Sequence, residues 1–495
     1  MKLLYNARFY SMRQEGEFFS AVLIDNNGTI IDVYNSIPIL DDIEQINLNG
    51  AFVYPGFVDT HTHSFEGGLY SLGADLGYVK NLDEVFQLLE AVSPISGKIF
   101  AYHFDENNIA EKRFPTASEL DKLYPDTPVI LRRVDGHSCV INTIAAKMID
   151  WQKPLPVDFN GHLNQRWNGS ASNWFHRNMN DEGVLKAYNK AAEMAVKNGH
   201  TAVHTMIGDA YSDPKHYKLI QDHINDFPVE FILYPQITDV KIALELGAKR
   251  VGGCVLADGS IGSHSAALLQ PYTDAPDNIG VLYRSTEDWQ KFILEAHANN
   301  LQIAVHCIGD AAITQILSLY EKAQNEDRKD LRHEIIHNEL TSDEMIDRIA
   351  KAGCSAVMQP MFDRLWGGSN GLYETRLGKE RTARMNRLAS IYKKGILLTG
   401  GSDWYITDIH ALKGIDAATR MHNENERLTP YQALEIYTKN AAYLSFDEDR
   451  CGTIEIGKQA DLTCLKEDVI TTENIAEIEI LAVYKKGRII YENKR

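Results

Sequence analysis

Phe57-Val58-Asp59-Thr60-His61-Thr62-His63 is the stretch from which the fold can be read. It follows Tyr54-Pro55-Gly56, a turn signal, and its apolar start runs into two histidines one residue apart. On a strand, residues two apart share a face, so both imidazoles can reach one point in space. Neutral imidazole is the commonest side-chain metal ligand, and a pair at this spacing can share one ion. The competing reading is a strand-end pair satisfied by hydrogen bonds. Further ligands later in the chain decide between the two.

Outward from this stretch the middle of the chain alternates strand and helix, the pattern of a parallel α/β architecture. Apolar strand candidates are Phe57–Thr62, Ile99–Phe104, Val129–Val134, Thr201–Met206, Val229–Tyr234, Arg250–Ala257, Gln302–Cys307, Glu334–His337, Ser355–Gln359 and Ile396–Thr399. Helix starts are marked by Ser285-Thr286-Glu287-Asp288, and by the capping-box forms Thr341-Ser342-Asp343-Glu344 and Thr429-Pro430-Tyr431-Gln432. A (β/α)8 barrel needs eight strands. Ile99–Phe104 and Val129–Val134 are set aside because they lie in an irregular stretch, about 68–180, that is poor in long periodic helices. That stretch is read as an insertion after the first barrel strand, a cap able to contribute substrate contacts.

Both ends of the chain read as short strands: Leu3–Phe9, Phe18–Ile24 and Thr29–Val33 at the start, then Thr453–Ile456, Leu462–Leu465, Ile480–Tyr484 and Arg488–Tyr491. The expected architecture is therefore α/β. A TIM-like barrel over 58–446 carries a small β-sandwich domain built from 1–57 and 447–495.

With that assignment, His306, His337 and Asp403 each end an apolar run, where a barrel places its catalytic groups. One polar strand end is ordinary. Three of them, added to His61 and His63 on one rim, favour a metal site, with zinc first and manganese, iron or nickel as competitors. The 495-residue chain is 44% hydrophobic, 24% charged and carries a formal charge of −18, which argues against nucleic-acid binding. Six scattered cysteines without a Cys-x-x-Cys pair fit reduced thiols in a cytoplasmic protein, and no apolar run reaches membrane-spanning length.

The chain resembles the amidohydrolase superfamily, and within it the amidohydrolase-3 branch that includes N-substituted formamide deformylase-like proteins. The resemblance is carried by Pro55 to His63, Leu131-Arg132-Arg133-Val134-Asp135-Gly136-His137, Asp258-Gly259-Ser260, His306-Cys307-Ile308-Gly309-Asp310, Gly401-Ser402-Asp403 and the closing run Gly452 to Leu462. It implies a metal-dependent hydrolase that cleaves a carbon–nitrogen, amide-type bond of a small molecule. By it, His61 and His63 bind the more buried of two ions and His306 and His337 the more exposed one. Asp403 is both ligand and proton shuttle.

One position departs from the branch. Its fourth strand usually carries a carboxylated lysine that bridges two metals, four residues before the Asp-Gly-Ser aspartate. Here Cys254 occupies that place, and the nearest lysine is Lys249. Relatives of the D-aminoacylase type use a cysteine bridge, so Cys254 is a candidate ligand; a small buried hydrophobe with the bridge lost is the alternative. One or two ions are compatible with the sequence, and a homodimer is an open option.

The resemblance places His137 at the substrate, with a surface turn as the alternative. Asp258 is read as a contact to the substrate or to a ligand or as a shaper of the Asp-Gly turn, and His204 as pocket lining or packed core. Asp310 is read as support for His306 or a helix cap, and Trp366, Tyr373 and Arg381 as pocket wall or ordinary loop packing. Two other functions compete. A mononuclear deaminase of an amino-heterocycle usually has His-x-x-Glu after the fifth strand, where this chain reads His306-Cys307-Ile308-Gly309. A non-catalytic barrel scaffold would have no need to retain His61, His63, His306, His337 and Asp403.

Overall fold

In the computed structural model, which describes residues 1–134, 138–208 and 215–493, all eight apolar runs assigned to the barrel form strands. We number them β1 (Phe57–Thr62), β2 (His200–Ile207), β3 (Glu230–Pro235), β4 (Arg250–Leu256), β5 (Gln302–Cys307), β6 (Glu334–His337), β7 (Ser355–Met358) and β8 (Leu398–Gly400). β1 to β3 form a three-stranded sheet and β4 to β8 a five-stranded one, every pairing parallel and in chain order. Side chains of seven strands (Val58, Ala202, Ile232, Cys254, Ala304, Ile336 and Val357 among them) share one buried cluster. The Thr60 hydroxyl of β1 lies 2.9 Å from that of Thr399 on β8, and Thr62 bridges in parallel to Trp404 just beyond β8.

The helices between strands begin as their sequences direct. Ser285 caps the helix Thr286–Ala298 by accepting from the Asp288 amide, and Thr429 forms a full capping box with Gln432 ahead of Pro430. The helix Asp343–Ala352 is capped by Ser342 through the Met345 amide rather than by Thr341. The Thr341 hydroxyl donates instead to the Asn338 carbonyl at 2.9 Å, in the turn leaving β6.

The two chain ends do combine, but as a single seven-stranded sheet rather than a two-sheet sandwich. Its order is Arg488–Glu492, Ile480–Lys485, Leu462–Leu465, Glu44–Pro55, Lys2–Tyr10, Phe18–Ile24 and Ile30–Tyr34. The twelve-residue strand Glu44–Pro55 at its centre was not expected, because its first half, Glu44-Gln45-Ile46-Asn47-Leu48-Asn49-Gly50, is mostly polar. Cross-strand pairing with Lys2–Tyr10 and Leu462–Leu465 overrides that local preference. Thr453–Ile456 is not a strand; the buried Ile454 instead donates its amide to the Ser11 carbonyl at 2.9 Å.

This sheet is tied to the strand region by charge. Glu230, at the start of β3, accepts from Arg450 through both oxygens at 2.7 and 2.9 Å and from Lys485 at 2.9 Å. Burial alone would raise the Glu230 pKa, but the two cations outweigh it and hold it at about 2. A carboxylate depressed in the fold contributes stability above its unfolded pKa and loses it as acid titrates the folded form. Glu230→Gln is therefore expected to cost about 2 kcal/mol at neutral pH and to flatten the stability loss between about pH 5 and pH 2. Thermal melts of both proteins across that range check it.

By compactness the chain divides into Met1–His63 with Ala192–Arg495, and Ser64–Ala191. The second unit holds a five-stranded sheet in the order His162–Asn164, Ser138–Ile141, Val129–Arg133, Ile99–Phe104, Ala74–Asp75. Its core includes Leu76, Val85, Leu89, Ile99, Phe104, Leu120 and Leu131. It is thus more regular than its composition suggests, and includes the thirteen-residue helix Gln165–Arg177. Among the described residues no helix is long and apolar enough to cross a membrane.

Candidate metal centre

The site is built where strands end. His61 lies on β1 and is fully buried, while the His63 side chain, just past β1, is 19% exposed. The two rings meet edge to face with centroids 5.5 Å apart. Asp59, two residues earlier on the same strand, accepts from the His61 amide at 3.1 Å and from the Ser402 amide at 3.0 Å. It thereby ties the loop after β8 to the histidine pair. The sequence reading passed over Asp59, although its alternation with His61 and His63 was visible.

Asp403 follows β8. Its amide donates to the His61 carbonyl at 2.9 Å, and its Oδ1 lies 3.3 Å from His61 Nε2 and 3.2 Å from His63 Nε2. Asp403 and His337 both hold left-handed backbone, at φ 55° and 69°. Such non-glycine positions concentrate at functional sites.

Cys254 is positioned by a bulge. Gly252 and Gly253 before it have φ of 95° and 71°, and the β4–β5 register breaks between Val251 and Val255. A Cβ at Gly252 would lie 2.2 Å from the Ala304 carbonyl oxygen, so a side chain there has no room. Bulges of this kind re-aim the following side chain. Here Cys254 Sγ joins two groups of three ligand atoms, one with His61 and His63 and one with His306 and His337, each within 4.8 Å of one another.

The far nitrogen of each later histidine is engaged. His306 Nε2 donates to the Gly259 carbonyl at 3.3 Å, so Nδ1, 3.8 Å from Cys254 Sγ, is the nitrogen turned to the cluster. His337 Nδ1 donates to Gln359 Oε1 at 2.7 Å and leaves Nε2 for the cluster in the same way. Gln359 directly follows β7 and orients His337 as outer partners of metal-bound histidines do. It was missed, although a polar residue ending an apolar run is the same signal that marked His306 and Asp403.

The electrostatics agree. Burial would keep Cys254 protonated, but the four surrounding histidines outweigh it and lower its pKa well below the ordinary thiol value. Burial would also discharge His61; Asp403 and Cys254 reverse that and raise its pKa to about 9. Asp403 is stabilised as a carboxylate against its burial, chiefly by His61 and His63. Both ring nitrogens of His61 and Oδ1 of Asp403 are nonetheless buried without a hydrogen-bond partner. Such atoms need an explanation, and a cation held among imidazole, thiolate and carboxylate supplies one.

The other expected positions are more dispersed. His204 is completely buried: its Nδ1 lies 3.1 Å from the Tyr234 hydroxyl, which donates to Glu334 Oε1 at 2.7 Å. Burial pushes the His204 pKa well down. Asp258 is also fully buried, accepting from the amides of Ala267, Ile308 and Gly309 at 2.8 to 3.0 Å, so its carboxylate secures the loops after β4 and β5. It lies 3.6 Å from His306 Nε2. Asp310 neither backs His306 nor caps: it is the first residue of the helix Asp310–Glu326, behind the cap Gly309, and accepts from the Leu269 amide at 2.8 Å. Tyr373 and Trp366 pack with Ile261, Leu340 and Leu377, and Arg381 bonds to the Leu377 and Gln270 carbonyls. His137 lies outside the described residues.

Parallel strands thus end on four histidines, a cysteine and an aspartate whose donor atoms suit a metal ion. The model of the amidohydrolase family matches residues 44–491, and the chain belongs to that family. YtcJ of Bacillus subtilis (strain 168), whose name places it among the amidohydrolases, is 28% identical over 99% of this chain and 100% of its own. N-substituted formamide deformylase of Arthrobacter pascens is 24% identical over 91% of this chain and 90% of its own. The crystal structure of an uncharacterized metal-dependent hydrolase from Pyrococcus furiosus superposes with a TM-score of 0.83 over 95% of this chain and 100% of that one, at 24% identity.

Proposed function

We propose that β1 to β8 close into a (β/α)8 barrel and that the chain hydrolyses a carbon–nitrogen bond of a small amide. A divalent ion, zinc first, would be held by His61, His63, Cys254, His306, His337 and Asp403. The observation that carries this reading is the pair of three-ligand groups sharing Cys254 Sγ. Cys254 would be a ligand common to the His61–His63 side and the His306–His337 side of the site.

When bound, the metal polarises the scissile carbonyl and lowers the pKa of water. The chain's own residues do the rest. Asp403 Oδ1 accepts a proton from the attacking water as its oxygen bonds to the carbonyl carbon, then returns it to the nitrogen as the carbon–nitrogen bond breaks. Gln359 and the Gly259 carbonyl keep His337 and His306 in the tautomers that leave their inner nitrogens free. All six cysteines are free, which suits a reducing, cytoplasmic setting.

The relative that acts on N-substituted formamides directs the first test. Protein stripped with a chelator and reloaded with zinc should release amine from a panel of N-substituted formamides and other N-acyl amines, and the stripped protein should not. Ammonia release from aminopurines or aminopyrimidines, with no amide cleaved, would replace this reading by deamination.

A further inference from the structure

Two histidines outside the ligand set meet where β5 and β6 begin, at the ends opposite His306 and His337. His297 lies in the last turn of the helix Thr286–Ala298, His333 directly precedes β6, and both are buried. Their rings complete a chain of three hydrogen bonds. The Ile303 amide of β5 donates to His333 Nδ1 at 3.1 Å, His333 Nε2 lies 2.9 Å from His297 Nδ1, and His297 Nε2 lies 2.6 Å from the Asp327 carbonyl oxygen. An amide only donates and a carbonyl only accepts, so the chain has one proton arrangement: each imidazole carries a single proton, on Nε2. Both rings are neutral, and every ring nitrogen is used.

A third proton has no place in this chain. On His333 Nδ1 it meets the Ile303 N–H, and on His297 Nδ1 it meets the His333 N–H; either way a buried donor loses its acceptor. The charged groups nearby do not welcome an imidazolium. Lys329 Nζ donates to the His297 carbonyl at 3.1 Å and holds the Asp327 carboxylate at 3.0 Å. Arg332 is turned to Glu448 and the Glu334 carboxyl to Tyr234, while the Tyr320 ring stacks on His333 with centroids 5.1 Å apart. Burial, with His297 and Lys329 adding to it, presses the His333 pKa down to about 3.

We propose that the His297–His333 pair is an acid-sensitive latch: it ties the helix Thr286–Ala298, β5, Asp327 and the start of β6 together while both rings are neutral, and it lets go when either ring takes up a proton. It stands apart from the metal centre and from the proposed hydrolysis. A histidine held neutral by the fold adds stability above its unfolded pKa of about 6.5, and that stability is lost as the pH falls below it.

Hydrogen exchange of the full chain, read by mass spectrometry with fragmentation that resolves the Ile303 amide, reports the latch directly. Corrected for the intrinsic rate, the opening constant should rise about thirtyfold or more from pH 7.5 to pH 5, the factor for one histidine of ordinary pKa that charges only in the open form. The strand Leu462–Leu465 of the terminal sheet is the reference and should rise much less. His333→Asn keeps an acceptor for the Ile303 amide and lets His297 Nδ1 take a proton without losing the bond to Asp327, so most of the rise should disappear. His297→Gln leaves the conflict between a second His333 proton and the Ile303 N–H in place, so it should keep a rise; it serves if the Asn variant does not fold. No rise in the native protein, a rise retained in full by His333→Asn, one lost completely in His297→Gln, or one that Leu462–Leu465 shares in full overturns the proposal.

Discussion

Asp403→Asn is expected to lower turnover by about a thousandfold or more, within the range of roughly 10²–10⁴ that a positioned proton-transfer group supplies together with loss of a ligand charge. Asparagine keeps the shape and one carbonyl-type acceptor at the Oδ1 position. It loses the negative charge that faces His61 and His63 at 3.2 to 3.3 Å, and it cannot take a proton from water. The fold should tolerate the change. The backbone bond from residue 403 to the His61 carbonyl is kept, and asparagine accepts the φ of 55° as readily as aspartate. Turnover of the amide identified by the panel, measured beside a thermal melt, separates the two effects. A variant that melts normally and retains more than a tenth of the activity would remove Asp403 from the proton-transfer role.

Cys254→Ser is expected to weaken retention of metal at least about a hundredfold, beyond the roughly 10–100-fold that changes behind the ligands cost. Serine nearly matches cysteine in volume, so the packing among Val58, Met206, Tyr234 and Ile336 should change little. What it removes is a thiolate. Four histidines favour the charged sulfur at Cys254, whereas a serine hydroxyl stays neutral at any ordinary pH. Because Sγ belongs to both groups of ligand atoms, its loss should affect both sides of the cluster rather than one. Metal per chain after dialysis against a graded chelator is the measurement. Unchanged retention would make Cys254 a packed hydrophobe and leave the histidine pairs to hold separate ions.

Much of this was legible in the chain because the signals were local. Each of His306, His337 and Asp403 ends a short apolar run, and parallel strands buried on both faces read as such runs. The parts that could not be read depend on partners distant in sequence. Glu44–Pro55 is a strand because Lys2–Tyr10 and Leu462–Leu465 flank it, not because its own residues alternate. Asp258 looks like a turn residue or a substrate contact beside Gly259; its three amide donors come from 267, 308 and 309. His204 ends up beside Tyr234 and Glu334, from two other strands, a pairing that no local pattern announces. The glycines before Cys254 were plain to see. Their effect was not, since it needs the Ala304 carbonyl and Met206 in place.

On the proposed reading, the ends of the parallel strands hold metal through His61, His63, Cys254, His306, His337 and Asp403. Crystals of protein purified without chelator, measured on both sides of the zinc absorption edge, test it most directly. Anomalous density is expected beside Cys254 Sγ, in contact with the His61–His63 pair, the His306–His337 pair, or both. Ordered side chains with no anomalous density among them, in protein supplied with zinc, would contradict it.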